Sequence, residues 1–252
     1  MDELLKPFET ITLEEMKSVK LMNRTDTKFV TNTSKLYQLL KMAQQDYYVQ
    51  VIDGERNLDY DTTYFDTTAF DMYNMHQSGH LNRQKIRFRT YCINHLQFME
   101  VKTKNNHGRT KKKRIEVSDM DLNDEEKRQF LHKHLRYDVE KLQPVLSNHF
   151  SRVTLVNKGL TERLTIDTGL NFHNVLNGSD KDMGQLVVIE LKRDGLVYSP
   201  VLQMLRQLRI QPHGFSKYCM GSALTGQDHL PVNRFKCKLI EINKLVNNNR
   251  II

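Results

Sequence analysis

The sequence has no long apolar run, and this shortage excludes a membrane-spanning protein of the helical kind. Its longest purely apolar stretch runs only from Leu186 to Ile189, whereas a transmembrane helix needs about 20 such residues. We therefore expect no membrane insertion by this chain. The first ten residues also lack a basic region followed by an apolar stretch, so we expect no secretory signal.

Cysteine is scarce as well. The sequence contains three cysteines, Cys92, Cys219 and Cys237, which are widely spaced and show no metal-ligand spacing. An odd, scattered set of this kind argues against a disulfide framework. It predicts reduced thiols in a cytoplasmic protein.

No internal repeat, low-complexity segment or linker rich in proline and glycine divides the chain. A length of 252 residues is ample for a hydrophobic core, and a composition of 38% apolar and 27% charged residues excludes wholesale disorder. We therefore predict a single domain over residues 1–252.

The positive charge is concentrated in one part of the chain. The sequence has 38 Lys and Arg against 30 Asp and Glu, a net charge of +8. Residues 81–117 hold 11 of those basic residues and two acids, Glu100 and Glu116, so that stretch alone carries +9. This concentration indicates a partner or substrate with dense negative charge.

Short strands at close spacing dominate the predicted secondary structure. Strands are predicted at 22–31, 49–52, 58–63, 85–93, 96–104, 110–117, 150–157, 162–168 and 185–193. Helices are predicted from Thr12, from Thr33 or Ser34 to 45, and at 69–77, 123–135 and 199–208. This order is typical of an α+β, mainly β fold with a meandering antiparallel sheet or barrel.

Most of these strands alternate between charged and apolar residues. In 85–93, for example, Lys85, Arg87 and Arg89 share one face while Ile86 and Phe88 share the other. An open sheet with its charged face in water is one reading. However, like charges on neighbouring strands destabilise a sheet, so repeated basic pairs favour a cationic tunnel closed around an anion. Phosphate fits, because Arg and Lys bind its oxygens well.

Eight short motifs resemble those of a known family. They are RTDTKF at 24–29, KIRFR at 85–89, EVKTK at 100–104, KKR at 112–114, SR at 151–152, ERLTIDT at 162–168, IELK at 189–192 and SKY at 216–218. In this order they resemble the polyphosphate polymerase domain of the vacuolar transporter chaperone type, which has bacterial relatives. That domain belongs to the triphosphate tunnel metalloenzymes. The resemblance implies an eight-stranded antiparallel, tunnel-like barrel with helices packed on the outside.

The resemblance also implies a reaction and a set of site residues. The terminal phosphoryl group of ATP would be transferred onto a growing inorganic polyphosphate chain. Phosphate-binding roles would fall to Lys28, Arg87, Arg89, Lys102, Lys112, Arg114, Arg152, Arg163, Lys192, Ser216 and Lys217. Lys28, Arg87, Arg89 and Lys217 would act in catalysis, Ser216 would assist Lys217, and Glu190 would hold Mn²⁺ or Mg²⁺. Phosphoryl transfer itself needs mainly positioning and charge neutralisation.

The first motif departs from the hydrolytic members of that superfamily. Those members begin with a Glu-x-Glu-x-Lys strand, whereas Arg24 and Asp26 precede Lys28 here. The loss of one carboxylate and the gain of a cation favour polymer synthesis or phosphate binding over hydrolysis. The segment 111–114 allows two registers, because a shift of one residue would select Lys111 and Lys113 instead of Lys112 and Arg114.

Several alternatives remain open at this stage. Asp167 is either a metal ligand or a structural partner of Arg163 or Arg152. The protein could be a catalytically silent module that binds polyphosphate or another polyanion, or a hydrolase of tripolyphosphate or nucleoside triphosphates. Nucleic acid is disfavoured as a partner, since no aromatic-interleaved surface or groove-reading motif is present. A separately encoded membrane partner is compatible with the sequence.

Overall fold

The structure, a computed structural model, describes residues 1–19, 24–226 and 230–247. Its strands are β1 (Glu9–Thr12), β2 (Arg24–Asn32), β3 (Tyr47–Val51), β4 (Asn57–Thr67), β5 (Arg83–Tyr91), β6 (Leu96–Lys104), β7 (Thr110–Val117), β8 (Leu142–Asn157), β9 (Glu162–Asn174), β10 (Asp180–Asp182) and β11 (Leu186–Asp194). Its α-helices are α1 (Asp2–Leu5), α2 (Thr33–Ala43), α3 (Asp71–Gln77), α4 (Glu125–His134), α5 (Pro200–Gln207), α6 (Lys217–Leu224) and α7 (Lys236–Asn247). None of the helices within these ranges is long and apolar enough to cross a bilayer.

Eight strands form one continuous antiparallel path, in the order β2–β11–β9–β8–β4–β5–β6–β7. Outside this path, β1 pairs in parallel with β3, β3 pairs with β8, and β10 pairs with β9. The predicted α+β, mainly β fold with eight antiparallel strands is confirmed. Within the described ranges no ladder joins β2 to β7, so the sheet is a half-barrel that is open along one side.

The sheet curls strongly, because strands far apart in its order face each other. Lys28 on β2 and Lys102 on β6 are separated by six steps in that order, which in a flat sheet is about 29 Å. After burial, however, the charge of Lys28 is the strongest influence lowering the pKa of Lys102. The two ammonium groups therefore face the same inner space of the half-barrel, and we call this inner space the groove.

Apolar side chains on the outer face of the sheet bind the helices. Leu40 of α2 and Leu205 of α5 pack into a cluster with β9 and β11, and Leu131 of α4 packs against β5 and β6. All three leucines are almost completely buried, and burial of each contributes roughly 1.5–3 kcal/mol. The prediction that helices cover an apolar outside is confirmed.

Helix α2 illustrates how the sequence specifies one of these covering helices. Its buried residues recur at the helical spacing: Leu36, Leu39, Leu40 and Ala43. The predicted cap at Thr33 or Ser34 is wrong by one or two residues. The side chain of Asn32 accepts a hydrogen bond from the backbone N–H of Lys35 at 3.1 Å, because Asn is itself a strong N-cap and comes first in the chain.

The inner face is charged along one part of each strand and apolar along the next. On β11, one face carries the apolar residues Leu186 and Val188 at its start and the charged residues Glu190 and Lys192 further along. These two apolar residues pack in one cluster with Tyr218 of α6. Helix α6 therefore fills one end of the barrel interior, and the charged groove occupies the remainder.

The chain just before α6 reaches across the groove. The backbone N–H of His213 donates to the carbonyl oxygen of Lys28 at 2.7 Å, on the free edge of β2. Three residues later, the hydroxyl of Ser216 accepts a hydrogen bond from the Lys85 ammonium on β5 at 2.6 Å. Residues 213–216 therefore link β2 to β5 on the inside of the half-barrel.

Two predictions of secondary structure need correction. Thr12 and Glu15 form the predicted reciprocal capping box, with N–H to side-chain distances of 2.7 and 3.2 Å. The turn that follows is a 3-10 helix, Glu15–Ser18, rather than an α-helix. Helices α6 and α7 were not predicted, and for α6 the reason is that five consecutive residues are buried, which leaves no amphipathic stripe. The predicted start of the second strand, 22–23, lies outside the described residues.

Candidate functional site

Three carboxylates inside the groove each bind two basic side chains, and we call these groups the triads. Their members are Lys28–Glu190–Lys192, Arg87–Glu100–Lys112 and Arg152–Asp167–Lys217. Each triad joins neighbouring strands or joins the sheet to α6. Six of the predicted phosphate-binding residues and the predicted metal ligand are therefore parts of one charged lining.

The first triad is centred on Glu190 of β11. Lys28 lies directly opposite it on β2, with Nζ 3.7 Å from Oε1. Lys192, two residues further along β11, places its Nζ 3.1 Å from Oε2. Burial would raise the pKa of Glu190, but the ammonium groups of Lys28 and Lys192 lower it well below the usual range. Glu190 is therefore a stable anion and a weak base.

The second triad is centred on Glu100 of β6, which is 1% exposed. Arg87 on β5 donates from Nε to Oε2 at 2.7 Å, and Lys112 on β7 donates from Nζ to Oε1 at 2.7 Å. Burial of Glu100 is outweighed by the nearby cations Arg87, Arg89 and Lys112, which lower its pKa to about 2. A carboxylate so deep in the protein is stable only because both of its oxygens are bound.

The third triad is centred on Asp167 of β9. Arg152, directly opposite on β8, donates from Nε to Oδ1 at 2.6 Å and from Nη2 to Oδ2 at 2.8 Å. Lys217 at the start of α6 places its Nζ 2.8 Å from Oδ2. Despite burial, these cations hold the pKa of Asp167 well below its usual range. The sequence left Asp167 open as a metal ligand or as a partner of Arg163 or Arg152. In the structure it is the partner of Arg152.

A second group of cations faces the groove without a carboxylate partner. Within the described part of the chain, no carboxylate oxygen lies within 4.0 Å of Arg89, Lys102 or Arg163. Among the described residues, Arg89 donates only to the Thr62 hydroxyl, at 3.3 Å, and Nε of Arg163 has no acceptor. Arg114 instead lies over the Phe98 ring, 4.5 Å from its centroid. These charges are available to a bound anion.

Lys102 is the most perturbed of these free cations. Part of its side chain remains accessible in the groove, but protein surrounds most of it and the positive charge of Lys28 acts on it. Desolvation and this like charge lower the pKa of Lys102 to about 7. The group is therefore poised to gain full charge when an anion enters.

The structure distinguishes between the two registers considered for 111–114. Lys112 lies opposite Lys102 and reaches Glu100, and Arg114 lies opposite Glu100. The alternating residues Lys111 and Lys113 are exposed on the other face of β7. The groove therefore receives Lys112 and Arg114, as the phase of the strand predicts.

Sequence reasoning missed two parts of this site. Lys85 received no role, yet it shares the face of Arg87 and Arg89 and binds Ser216. Its phase in the strand was the signal that could have identified it. Ser216, expected to assist Lys217, contacts Lys85 instead. With Lys85, eleven basic side chains surround the three triad carboxylates, so cations outnumber anions in the lining of the groove.

A divalent metal fits this donor set only as a companion of phosphate. Among the described residues there is no cluster of three or more metal-ligating His, Cys, Asp or Glu side chains. Glu190 is the most accessible triad carboxylate, and its 3.7 Å contact with Lys28 is loose. One carboxylate together with phosphate oxygens and water suits Mg²⁺ or Mn²⁺. The residues present therefore suit a metal held jointly by Glu190 and a bound triphosphate.

We compared the structure of this chain with solved structures of other proteins. A candidate adenylate cyclase from Bacillus halodurans is 15% identical, with a TM-score of 0.50, and covers 77% of this chain and 96% of its own. A candidate adenylyl cyclase from Hippeastrum with a dominant triphosphatase activity is also 15% identical, with a TM-score of 0.48, and covers 84% of this chain and 99% of its own. At this identity the first likeness concerns the fold alone.

Sequence comparison is more specific about the family. No curated protein gives a match. The family described as the VTC domain matches residues 23–225, which is most of the chain and contains all three triads. Both this match and the eight-stranded half-barrel agree with the resemblance found in the short basic motifs. The chain belongs to the VTC domain family.

Proposed function

We propose that this protein is a polyphosphate polymerase, which transfers the terminal phosphoryl group of ATP onto a growing inorganic polyphosphate chain. The observation that carries the proposal is the composition of the groove. It combines an excess of cations with three carboxylates that are each already bound to two of those cations. Such a groove suits a long linear polyanion better than it suits a small neutral substrate.

The free cations and the triads would have different tasks. Arg89, Lys102 and Arg163 have no carboxylate partner among the described residues and would neutralise phosphate oxygens directly. The triads hold the remaining basic side chains in fixed positions on adjacent strands. Positioning and charge neutralisation are the main demands of phosphoryl transfer, and both are supplied here by side chains on a rigid sheet.

The chemical step would be a simple displacement. A terminal oxygen of the polyphosphate chain forms a bond to the γ-phosphorus of ATP, the bond from that phosphorus to the β–γ bridging oxygen breaks, and ADP leaves. The attacking oxygen is already anionic, so no strong general base is required. This suits carboxylates such as Glu100 and Glu190, whose low pKa values make them poor at activating water.

The first strand supports synthesis over hydrolysis in the same way. Arg24 binds Asp26 at 2.7 Å, so the one acid on this strand is neutralised by the residue that replaces a second acid. The pair leaves Lys28 without an acidic neighbour on its own strand that could orient a metal-bound water. A hydrolase remains the second candidate, because it would use the same triphosphate-binding side chains.

We further propose that Glu190 holds Mn²⁺ or Mg²⁺ together with the triphosphate. When bound there, the ion would supply additional charge neutralisation on the phosphate oxygens. Lys28 and Lys192 would then move their contacts from Glu190 to phosphate. ATP and inorganic polyphosphate are the proposed partners, without nucleic acid, in a cytoplasmic location and with a possible separately encoded membrane partner.

The direct test is to incubate the purified protein with ATP and Mn²⁺ and to separate the products by gel electrophoresis and nucleotide chromatography. Long-chain polyphosphate and ADP in matching amounts are expected. Free orthophosphate without polymer would identify a hydrolase instead, and metal-independent binding with no turnover would identify a silent polyanion-binding module.

Paired variants sharpen this test. Lys102→Gln removes a cation from the groove, and Lys113→Gln removes one from the opposite face of the adjacent strand. Both replace one lysine by the same neutral side chain. Loss of polymer synthesis in the first variant only would support chemistry inside the groove, while an equal loss in both would point to a non-specific effect of charge.

A further inference from the structure

The proposed function gives no role to Lys85, which stands in a row of three ammonium groups across the groove. Lys85, Lys102 and Lys112 lie directly opposite one another on β5, β6 and β7. Directly opposed residues have Cβ atoms about 4.5–5.5 Å apart, and like charges in such pairs destabilise a sheet. Of the three, only Lys112 has a carboxylate among the described residues within 4.0 Å, that of Glu100.

Lys85 is held in this row by neutral groups alone. Its Nζ donates to the Ser216 hydroxyl at 2.6 Å and lies 3.6 Å from the thiol sulfur of Cys219. No carboxylate among the described residues lies within 4.0 Å of it. Ser216 is also the N-cap of α6, accepting the backbone N–H of Cys219 at 3.2 Å. The ammonium group is therefore oriented, but its charge is not cancelled.

A third neutral group completes this arrangement. The Cys219 sulfur lies 3.0 Å from Nδ1 of His76 on α3. Burial and the positive charge of Lys85 lower the pKa of His76 to about 2, so the imidazole is uncharged at neutral pH. A neutral imidazole can accept the thiol proton at Nδ1, and this orients the sulfur lone pairs toward Lys85.

We infer that Lys85 is a further phosphate-binding residue, and that Ser216, Cys219 and His76 position its ammonium without neutralising it. This inference rests on the proposed function, since it assigns Lys85 to the same phosphate site. The ligand is a phosphate group of a linear polyphosphate, shared with Lys102 on the adjacent strand. A neutral support leaves the whole charge for the ligand, whereas a carboxylate support would compete with it.

The alternative is that Lys85 is structural and simply fixes the start of α6 through Ser216. The two roles predict opposite changes on substitution to Gln. A phosphate-binding Lys85 is a partly buried cation without a counter-charge, so its removal should leave the melting temperature of the free protein unchanged or raise it. A structural Lys85 should lower that temperature and leave ligand affinity almost unaltered.

The experiment measures binding of inorganic tripolyphosphate without metal or nucleotide, by calorimetry at several salt concentrations. For Lys85→Gln we expect a Kd about tenfold higher and a salt dependence reduced by about one ion, with no fall in melting temperature. Lys113→Gln on the outward face of β7 is the matched control and should leave both quantities near those of the parent protein.

The positioning residues are tested through Lys85. Cys219→Ala and His76→Leu should each weaken tripolyphosphate binding by a smaller factor, and His76→Asn should restore it by offering an amide oxygen. These effects should vanish when Lys85 is already Gln, while Cys92→Ala on the outer face should have none. An unchanged Kd in Lys85→Gln would overturn the inference and leave the proposed function standing. Absence of tripolyphosphate binding by the parent protein would overturn both.

Discussion

Arg152 binds Asp167 through both carboxylate oxygens, at 2.6 and 2.8 Å, across two neighbouring strands in the interior of the half-barrel. Lys217 of α6 binds the same carboxylate at 2.8 Å. The carboxylate of Asp167 therefore holds Arg152 in place and also binds α6. It connects the sheet to the helix that fills one end of the barrel.

The first prediction concerns the removal of that shared charge. Asp167→Asn should lower the free energy of unfolding by about 3–5 kcal/mol, because Arg152 and Lys217 would remain buried without a partner. Urea unfolding measures this loss. Asp180→Asn, which removes an exposed partner of His173, is the control and should cost at most about 1 kcal/mol. Equal losses in the two variants would contradict a buried structural role for Asp167.

The same carboxylate predicts an acid dependence of stability. The pKa of Asp167 in the folded protein is held well below its unfolded value by Arg152 and Lys217. Its contribution is therefore complete above the unfolded pKa of about 3.9 and is lost as the pH falls through the lower folded value. Unfolding curves between pH 7 and pH 2 should be flatter for Asp167→Asn than for the parent protein, and parallel curves would refute this.

Lys102 predicts a pH dependence of ligand binding. Its pKa is lowered to about 7 in the free protein, and a bound phosphate should raise it toward that of an ordinary lysine. Binding would then take up a proton at pH 8, and affinity for tripolyphosphate should fall by up to about tenfold per pH unit above 7. Calorimetry in buffers of different ionisation enthalpy measures the proton, and Lys102→Gln should remove the uptake.

The proposed role of Glu190 predicts that its loss weakens metal binding without weakening the binding of anions. Glu190→Gln should weaken the apparent affinity for Mn²⁺ in turnover at least about tenfold. Metal-free binding of tripolyphosphate should be retained or tightened, because Lys28 and Lys192 lose their internal competitor. Glu116→Gln on the exposed part of β7 is the control. Loss of metal-free binding in Glu190→Gln would argue against this assignment.

Close packing of α6 predicts a steric effect. A Cβ atom on Gly221 would lie 2.5 Å from Leu146 Cδ2 and 2.6 Å from Phe172 Cδ1, both on the sheet. Gly221→Ala should therefore lower the free energy of unfolding by about 1–3 kcal/mol, despite the better helix propensity of Ala. Denaturant unfolding measures this. A stabilised variant would show that α6 does not sit tightly against β8 and β9.

Much of the fold was predictable from local patterns. Alternation located β5, β6 and β7 within two residues, and β6 and β7 were predicted with their observed bounds. The positive charge of the inner faces was also predictable, because successive side chains of a strand point to one face of the sheet or the other. Helix α6 could not be found in this way, since it is buried on several sides and has no polar stripe.

The sequence could not predict which basic side chain binds which carboxylate. Arg87 and Arg89 are alike in the motif, yet Arg87 binds Glu100, whereas Arg89 donates to the Thr62 hydroxyl. The phase of the strand places Lys85 on the inner face, but its partners Ser216 and Cys219 are more than a hundred residues away in the chain. Which cations are free for a ligand depends on contacts across the groove, and these contacts have no local signal.

The sequence by itself determined which side chains face inward, because alternation along a strand is a local property of the backbone. It also determined the family, through the order of its basic motifs. Only the tertiary structure decided how those charges are shared. Curling brings Lys28 and Lys102, which are six strands apart in the order of the sheet, to face the same groove, and the contacts across it give Glu100, Asp167 and Glu190 two cations each. Electrostatic energy depends on distance in space, which strand phase alone does not contain.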